Sequence, residues 1–104
     1  MRHPSVYILA SSKNGSLYIG VTSDLPTRMM EHQSGGGSKH AAKYQIRRLV
    51  WFESHEDMSR AIQREKSLKR YPRQWKINLI EENNPQWLPL HPETGEFLPF
   101  EYGS

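Results

Sequence analysis

The chain contains no cysteine, which removes disulfide scaffolds and every thiolate metal site from consideration. It has no run near the ~20 consecutive apolar residues that a membrane-crossing helix needs. The apolar stretch in "MRHPSVYIL" is too short for a secretory signal. These absences fit a cytoplasmic protein. Zinc-type spacing is missing too, since the five histidines, His3, His32, His40, His55 and His91, are scattered. There is no glycine-rich phosphate loop opening a helix, and no serine, histidine and aspartate trio at suggestive places.

What is present is a basic chain of 104 residues with formal charge +3 and a pI near 9.3. That length suits one domain, 1–104, with one modest core. The cations cluster: Arg60, Arg64, Lys66, Lys69, Arg70, Arg73 and Lys76 are interleaved with Tyr71 and Trp75. A basic segment laced with aromatics attracts a phosphate backbone, although a solvated helix face has the same composition.

"SVYIL" (5–9) and "LYIGV" (17–21) are short β-branched and aromatic runs separated by "ASSKNGS", whose Asn-Gly pair suits a hairpin turn. "TSDLPTRMMEHQ" predicts a helix capped by Ser23 or Asp24, with Pro26 in its first turn and an end near Gln33. The glycine-rich "SGGGSKHAAKY" reads as a flexible loop. "RRLVWFES" from Arg47 predicts a third strand with Leu49 to Phe52 buried. A helix capped at Ser54 follows, with Met58, Ala61, Ile62 and Leu68 as its apolar stripe. Pro72 opens another, with Trp75, Leu79 and Ile80 inward. Trp87 and Leu90 are expected to pack back on a core spanning about 5–90, with 91–104 a proline-rich tail whose last dozen residues are extended or mobile. The order predicts an α/β domain of the α+β type, with a three-stranded, largely antiparallel sheet flanked by helices.

Three polar residues break the pattern. Arg28 and His32 share a helical face with Leu25 and Met29, and Glu65 interrupts the stripe between Ile62 and Leu68. A carboxylate on an apolar face is costly unless paired, hydrogen-bonded or metal-bound. Lys69, at i+4, could simply pair with Glu65. Arg28 could run its stem along the core edge, and His32 could bond a backbone carbonyl. Together with Tyr7 and Tyr18 on adjacent strands, however, they would project from elements that pack on one sheet. One carboxylate and water can hold a magnesium-like ion. An arginine can neutralise a phosphodiester, and a tyrosine or histidine can deprotonate water. The set suits metal-assisted phosphodiester hydrolysis.

"VYIL", "LYIGVT", "DLPTRMMEHQSGG", "AIQREKSLK" and "NPQWLPL", in that order, resemble the GIY-YIG nuclease superfamily, most closely its small single-domain bacterial members. The resemblance spans roughly residues 5 to 90. It implies one divalent ion, Mg2+ or Mn2+, held by Glu65, catalytic roles for Tyr7, Tyr18, Arg28 and His32, and a structural or catalytic asparagine after the glutamate. Asn84 fits the small-member pattern, while Asn78 is nearer the spacing of larger relatives; Asn84 is preferred. Tyr7 is assigned as general base and Tyr18 as orienting water or phosphate. Val21 stands where some relatives carry lysine.

The implied activity is that of an endonuclease on DNA, in repair or recombination, with single-stranded, branched or duplex substrate left open. Lys39, Lys43, Lys69, Arg70, Arg73 and Lys76 are the candidate nucleic-acid contacts, and Tyr44, Tyr71 and Trp75 candidate stacking platforms. A protein partner could supply specificity. Two alternatives stand beside it: a nucleic-acid-binding module without turnover, and a buried structural network serving a protein contact.

Overall fold

The three β-rich segments pair into one antiparallel sheet in a computed structural model that describes residues 3–36 and 38–98. They are β1 (Ser5–Ala10), β2 (Leu17–Thr22) and β3 (Arg48–Ser54), in the order β2-β1-β3. The described helices are α1 (Leu25–Gln33), α2 (Lys39–Lys43), α3 (Met58–Arg70) and α4 (Arg73–Glu81), which makes the fold α+β. Among the described residues, no helix is long and apolar enough to cross a membrane.

The central strand is buried on both faces. Period-2 alternation sends Val6, Ile8 and Ala10 into a cluster with Ala61 and Leu68 of α3, Ile80 of α4 and Trp87. Tyr7 and Leu9 go to the other face, with Leu25 and Met29 of α1, Ala41 of α2, Ile46, Leu49 and Leu90. Each large side chain fully buried in this way contributes about 1.5–3 kcal/mol relative to exposure. The β1–β3 register shifts between Ile8 and Leu9, since Ile8 pairs with Trp51 and Leu9 with Leu49. Val50 is therefore the extra residue of a bulge, with a backbone carbonyl that needs another partner.

Caps follow the expected chemistry, with one displacement. Asp24 caps α1, accepting from the Thr27 backbone N–H at 3.2 Å and from its hydroxyl at 2.8 Å. The cap of α3 is Asp57, which accepts from the Arg60 N–H at 2.9 Å, and Ser54 instead ends β3. Ile62, expected in the α3 stripe, is exposed, and so is Trp75 at 56%. Helix α4 buries Ile80 and partly Ile77 and Leu79, while Trp75 meets Tyr71 edge-on at 5.3 Å.

Two segments are more ordered than the sequence suggests. Within the glycine-rich loop, Ser38 caps the short α2 by accepting from the Ala41 N–H at 3.3 Å, and Ala41 is buried. Beyond Leu90 the chain turns back through Gly95, at φ +76°, with His91 N–H donating to Glu96 O at 2.8 Å and a bridge from Leu90 to Phe97. The part of the expected mobile tail at 99–104 lies outside the described residues.

Candidate active site

Helix α1 turns one buried face to the sheet through Leu25, Met29 and His32, spaced i, i+4 and i+7. The imidazole thus completes an apolar stripe. His32 is 3% exposed, and its Nε2 lies 3.0 Å from the Tyr7 hydroxyl oxygen in a buried hydrogen bond. Tyr7 pairs with Gly20 and Leu9 with Tyr18 across β1 and β2, so the two tyrosines are diagonal neighbours on one face. The three rings form a triangle. Tyr7 and His32 centroids are 5.8 Å apart, Tyr18 and His32 5.5 Å, and Tyr7 and Tyr18 6.3 Å.

Gly20 makes this triangle possible. A Cβ at that position would collide with the Tyr7 hydroxyl oxygen and ring, so the phenol lies directly over bare backbone.

Arg28, one turn before His32, is half-buried at the edge of the same helix, with Nε 3.9 Å from Glu31 Oε1. Burial pushes the His32 imidazole below its ordinary pKa, the Arg28 guanidinium pushes it further, and Glu31 opposes both. At neutral pH the ring is therefore neutral. The Tyr7 hydroxyl is held well above the usual tyrosine range, first by burial, then by Tyr18. Arg28 works against that rise, while Glu31 and Glu65 add to it. Arg28, Glu31 and Glu65 thus act electrostatically on one hydroxyl. Glu31 is the residue that sequence inspection missed; its i+3 spacing from Arg28 was the available signal.

Glu65 projects from α3, the helix that packs on the edge strand β2. Its side chain is 15% exposed, with Oε2 3.4 Å from the more exposed Lys69 Nζ, a pair worth a few tenths of a kcal/mol. Among the described residues no group of three or more His, Cys, Asp or Glu is placed to hold a metal. A lone carboxylate fits a magnesium-like ion, which keeps most of its water and takes substrate phosphate oxygens. It does not fit zinc, which needs three or four protein ligands.

Asn84 has a different setting. Its amide donates to Val50 O at 3.1 Å and Leu88 O at 2.9 Å, and its Oδ1 accepts from the Leu88 N–H at 2.9 Å. It supplies the partner that the bulged Val50 carbonyl needs. Asn78 is exposed, accepting from Gln74 at 2.9 Å.

The basic residues divide between α2, with Lys39 and Lys43 exposed, and the α3–α4 junction, with Lys69 and Arg70 exposed and Lys76 half-buried. Arg73 donates to the hairpin-turn carbonyls of Asn14 and Gly15 at 2.9 and 2.7 Å. Arg64 bonds Glu53 at 3.1 Å and the Tyr71 hydroxyl at 3.3 Å, and Arg60 pairs with Glu56 and Asp57. The segment is therefore less free to meet phosphate than its composition implies.

A family model described as the GIY-YIG catalytic domain matches residues 3–78. The chain belongs to the GIY-YIG family. The matched span holds Tyr7, Tyr18, Arg28, His32 and Glu65 and closes at Asn78, short of Asn84. GIY-YIG proteins form a superfamily of nucleases that generally use a divalent metal. The chain is also similar to UPF0213 proteins of Staphylococcus aureus strains Mu3, USA300 and COL. Each is 40% identical over 77 residues, which cover 74% of this chain and 93% of the relative. No solved structure matches it significantly.

Proposed function

We propose that this GIY-YIG chain is a divalent-metal-dependent endonuclease that hydrolyses DNA phosphodiester bonds. The observation that carries the proposal is the buried Tyr7–His32 hydrogen bond of 3.0 Å, set beside the guanidinium of Arg28 and within the electrostatic reach of Glu65.

A tyrosine with a raised pKa is a poor base alone, because ionising it in a buried site is costly. Its partner resolves the difficulty. With His32 neutral and Nε2 unprotonated, the Tyr7 hydroxyl donates to the imidazole, so Tyr7 takes a proton from the attacking water as its own passes to His32. Tyr18, beside both rings, orients the water or the phosphate. Arg28 exchanges its long contact with Glu31 for the phosphate oxygens, whose charge it neutralises in a charge-assisted pair. Glu65 is the residue that would hold Mg2+ or Mn2+, which when bound polarises the phosphate and stabilises the leaving oxygen. Asn84 supports this arrangement from outside, fixing the turn after α4 against β3.

The test is cleavage of labelled single-stranded, branched and duplex DNA with magnesium, manganese or EDTA, beside Glu65→Ala. Metal-dependent cutting that the substitution abolishes, in a protein that keeps its thermal midpoint, supports the nuclease. A folded wild-type protein that binds DNA and cuts none of the substrates would point to a binding module or a partner-dependent subunit. Unfolding by Glu65→Ala would favour a structural network.

A further inference from the structure

The β1–β2 turn, the C-terminal end of α2 and the start of β3 enclose a separate recess of about 430 Å3. Lys43 and Arg47 bring two exposed cations to its walls and Ser11 and Ser12 bring two hydroxyls, and among the described residues no carboxylate lines it. Arg48, also in the wall, is already engaged, donating to the Trp87 carbonyl at 3.1 Å. Gln45, at φ 54°, reverses the chain so that the end of α2 and the beginning of β3 share this recess. Tyr44 also lines it, 50% exposed. Its ring leans on His40 at 4.9 Å, and the Lys43 ammonium lies 5.4 Å from its centroid.

Two features tie the recess to the catalytic cluster. Ser11, the residue just past the end of β1, follows Tyr7 by four positions, roughly 13 Å at the rise of a strand. Gln33, the neighbour of His32, donates its side-chain amide to the Arg47 carbonyl at 2.8 Å.

Exposed cations beside hydroxyl donors, as Lys43 and Arg47 stand beside Ser11 and Ser12, suit a phosphate. An exposed ring beside them suits the π-face of a base, which a single strand offers and a duplex keeps within its stack. We propose that this recess seats a backbone phosphate of single-stranded DNA flanking the scissile bond, with the adjoining base stacked on Tyr44. The base takes the place of the Lys43 ammonium over the ring, and the ammonium turns to the phosphate. The choice of DNA rests on the nuclease proposal, so the test reads binding without turnover and the two can fail separately.

Fluorescence anisotropy in EDTA compares a labelled oligothymidylate with a duplex of equal length. Tyr44→Ala should weaken single-strand binding by about 10- to 100-fold and duplex binding by less than about threefold. Replacing Lys43 and Arg47 together by alanine should lower the slope of log affinity against log salt by about 0.7, the increment for one phosphate contact on a single strand. All three side chains are exposed, and an unchanged thermal midpoint verifies folding. Equal losses on both DNAs, or none on the single strand, overturn the proposal. A wild-type protein that shows this binding pattern yet cuts nothing sustains the recess and removes the nuclease.

Discussion

His32 and Asn84 are equally buried, each 3% exposed, yet their hydrogen bonds point to different duties. The three bonds of Asn84 all go to backbone, and they close a vacancy that the β3 bulge opens. The bond of His32 goes to another side chain, a phenol with its own proton to give. A buried amide spent on main-chain groups is architecture; a buried imidazole facing an ionisable hydroxyl has chemistry available. Burial alone does not separate these cases. The identity of the partner does.

Four measurements sharpen or break this contrast. The largest effect is expected at the third inward polar residue: Glu65→Ala should lower cleavage about 10³-fold or more with a nearly unchanged thermal midpoint, because its Lys69 partner is exposed. Tyr7→Phe should reduce cleavage about 10²- to 10³-fold, and leaving the His32 nitrogen without its donor should cost no more than about 1–2 kcal/mol of stability. Asn84→Ala inverts the pattern. It should remove about 2–3 kcal/mol and lower the thermal midpoint by roughly 10 °C or more, while cleavage per folded molecule changes less than about threefold. If Asn84→Ala instead abolishes cleavage in a protein of unchanged stability, the distinction between the two residues is lost.

The smallest effect is in the pH dependence. His32 binds its proton more weakly when folded than the ordinary histidine value of 6.5. The unfolded chain then holds more protons as pH falls past 6.5, so stability is retained above that value and declines below it. Cleavage should follow, with an acid limb below 6.5, because protonation removes the acceptor at Nε2. The groups acting on this ring and its partner are Arg28, Glu31, Tyr18 and Glu65. Since Glu31 raises the His32 pKa, Glu31→Gln should move the limb further down. A limb at or above 6.5 in the wild type would contradict the neutral acceptor.

The strands, the principal helices and the inward turn of His32 were legible because each rests on local periodicity. Leu25, Met29 and His32 recur at helical spacing whatever the third side chain is. The failures have local causes as well. Helix α2 has five residues and follows three glycines, too short a run for periodicity to register, although Ser38 was a visible cap. Ser54 and Asp57 are both good caps, and sheet pairing with Ser5 claims the first. Trp75 reads as core by its size, but α4 faces the sheet through Ile80. The bulge at Val50 leaves no mark in a hydrophobic pattern, so the need for Asn84 was invisible. Nor does composition reveal that Arg64 and Arg73 are already engaged.

The phenol over Gly20 makes the first and second motifs, "VYIL" and "LYIGVT", interdependent in a way their separate letters hide. Tyr7→Phe takes away an oxygen but leaves ring carbons where a methyl at position 20 would go. Restoring room for a side chain there requires emptying position 7 altogether. The glycine of the second motif is thus the negative imprint of the tyrosine of the first: a single steric object, read twice along the chain.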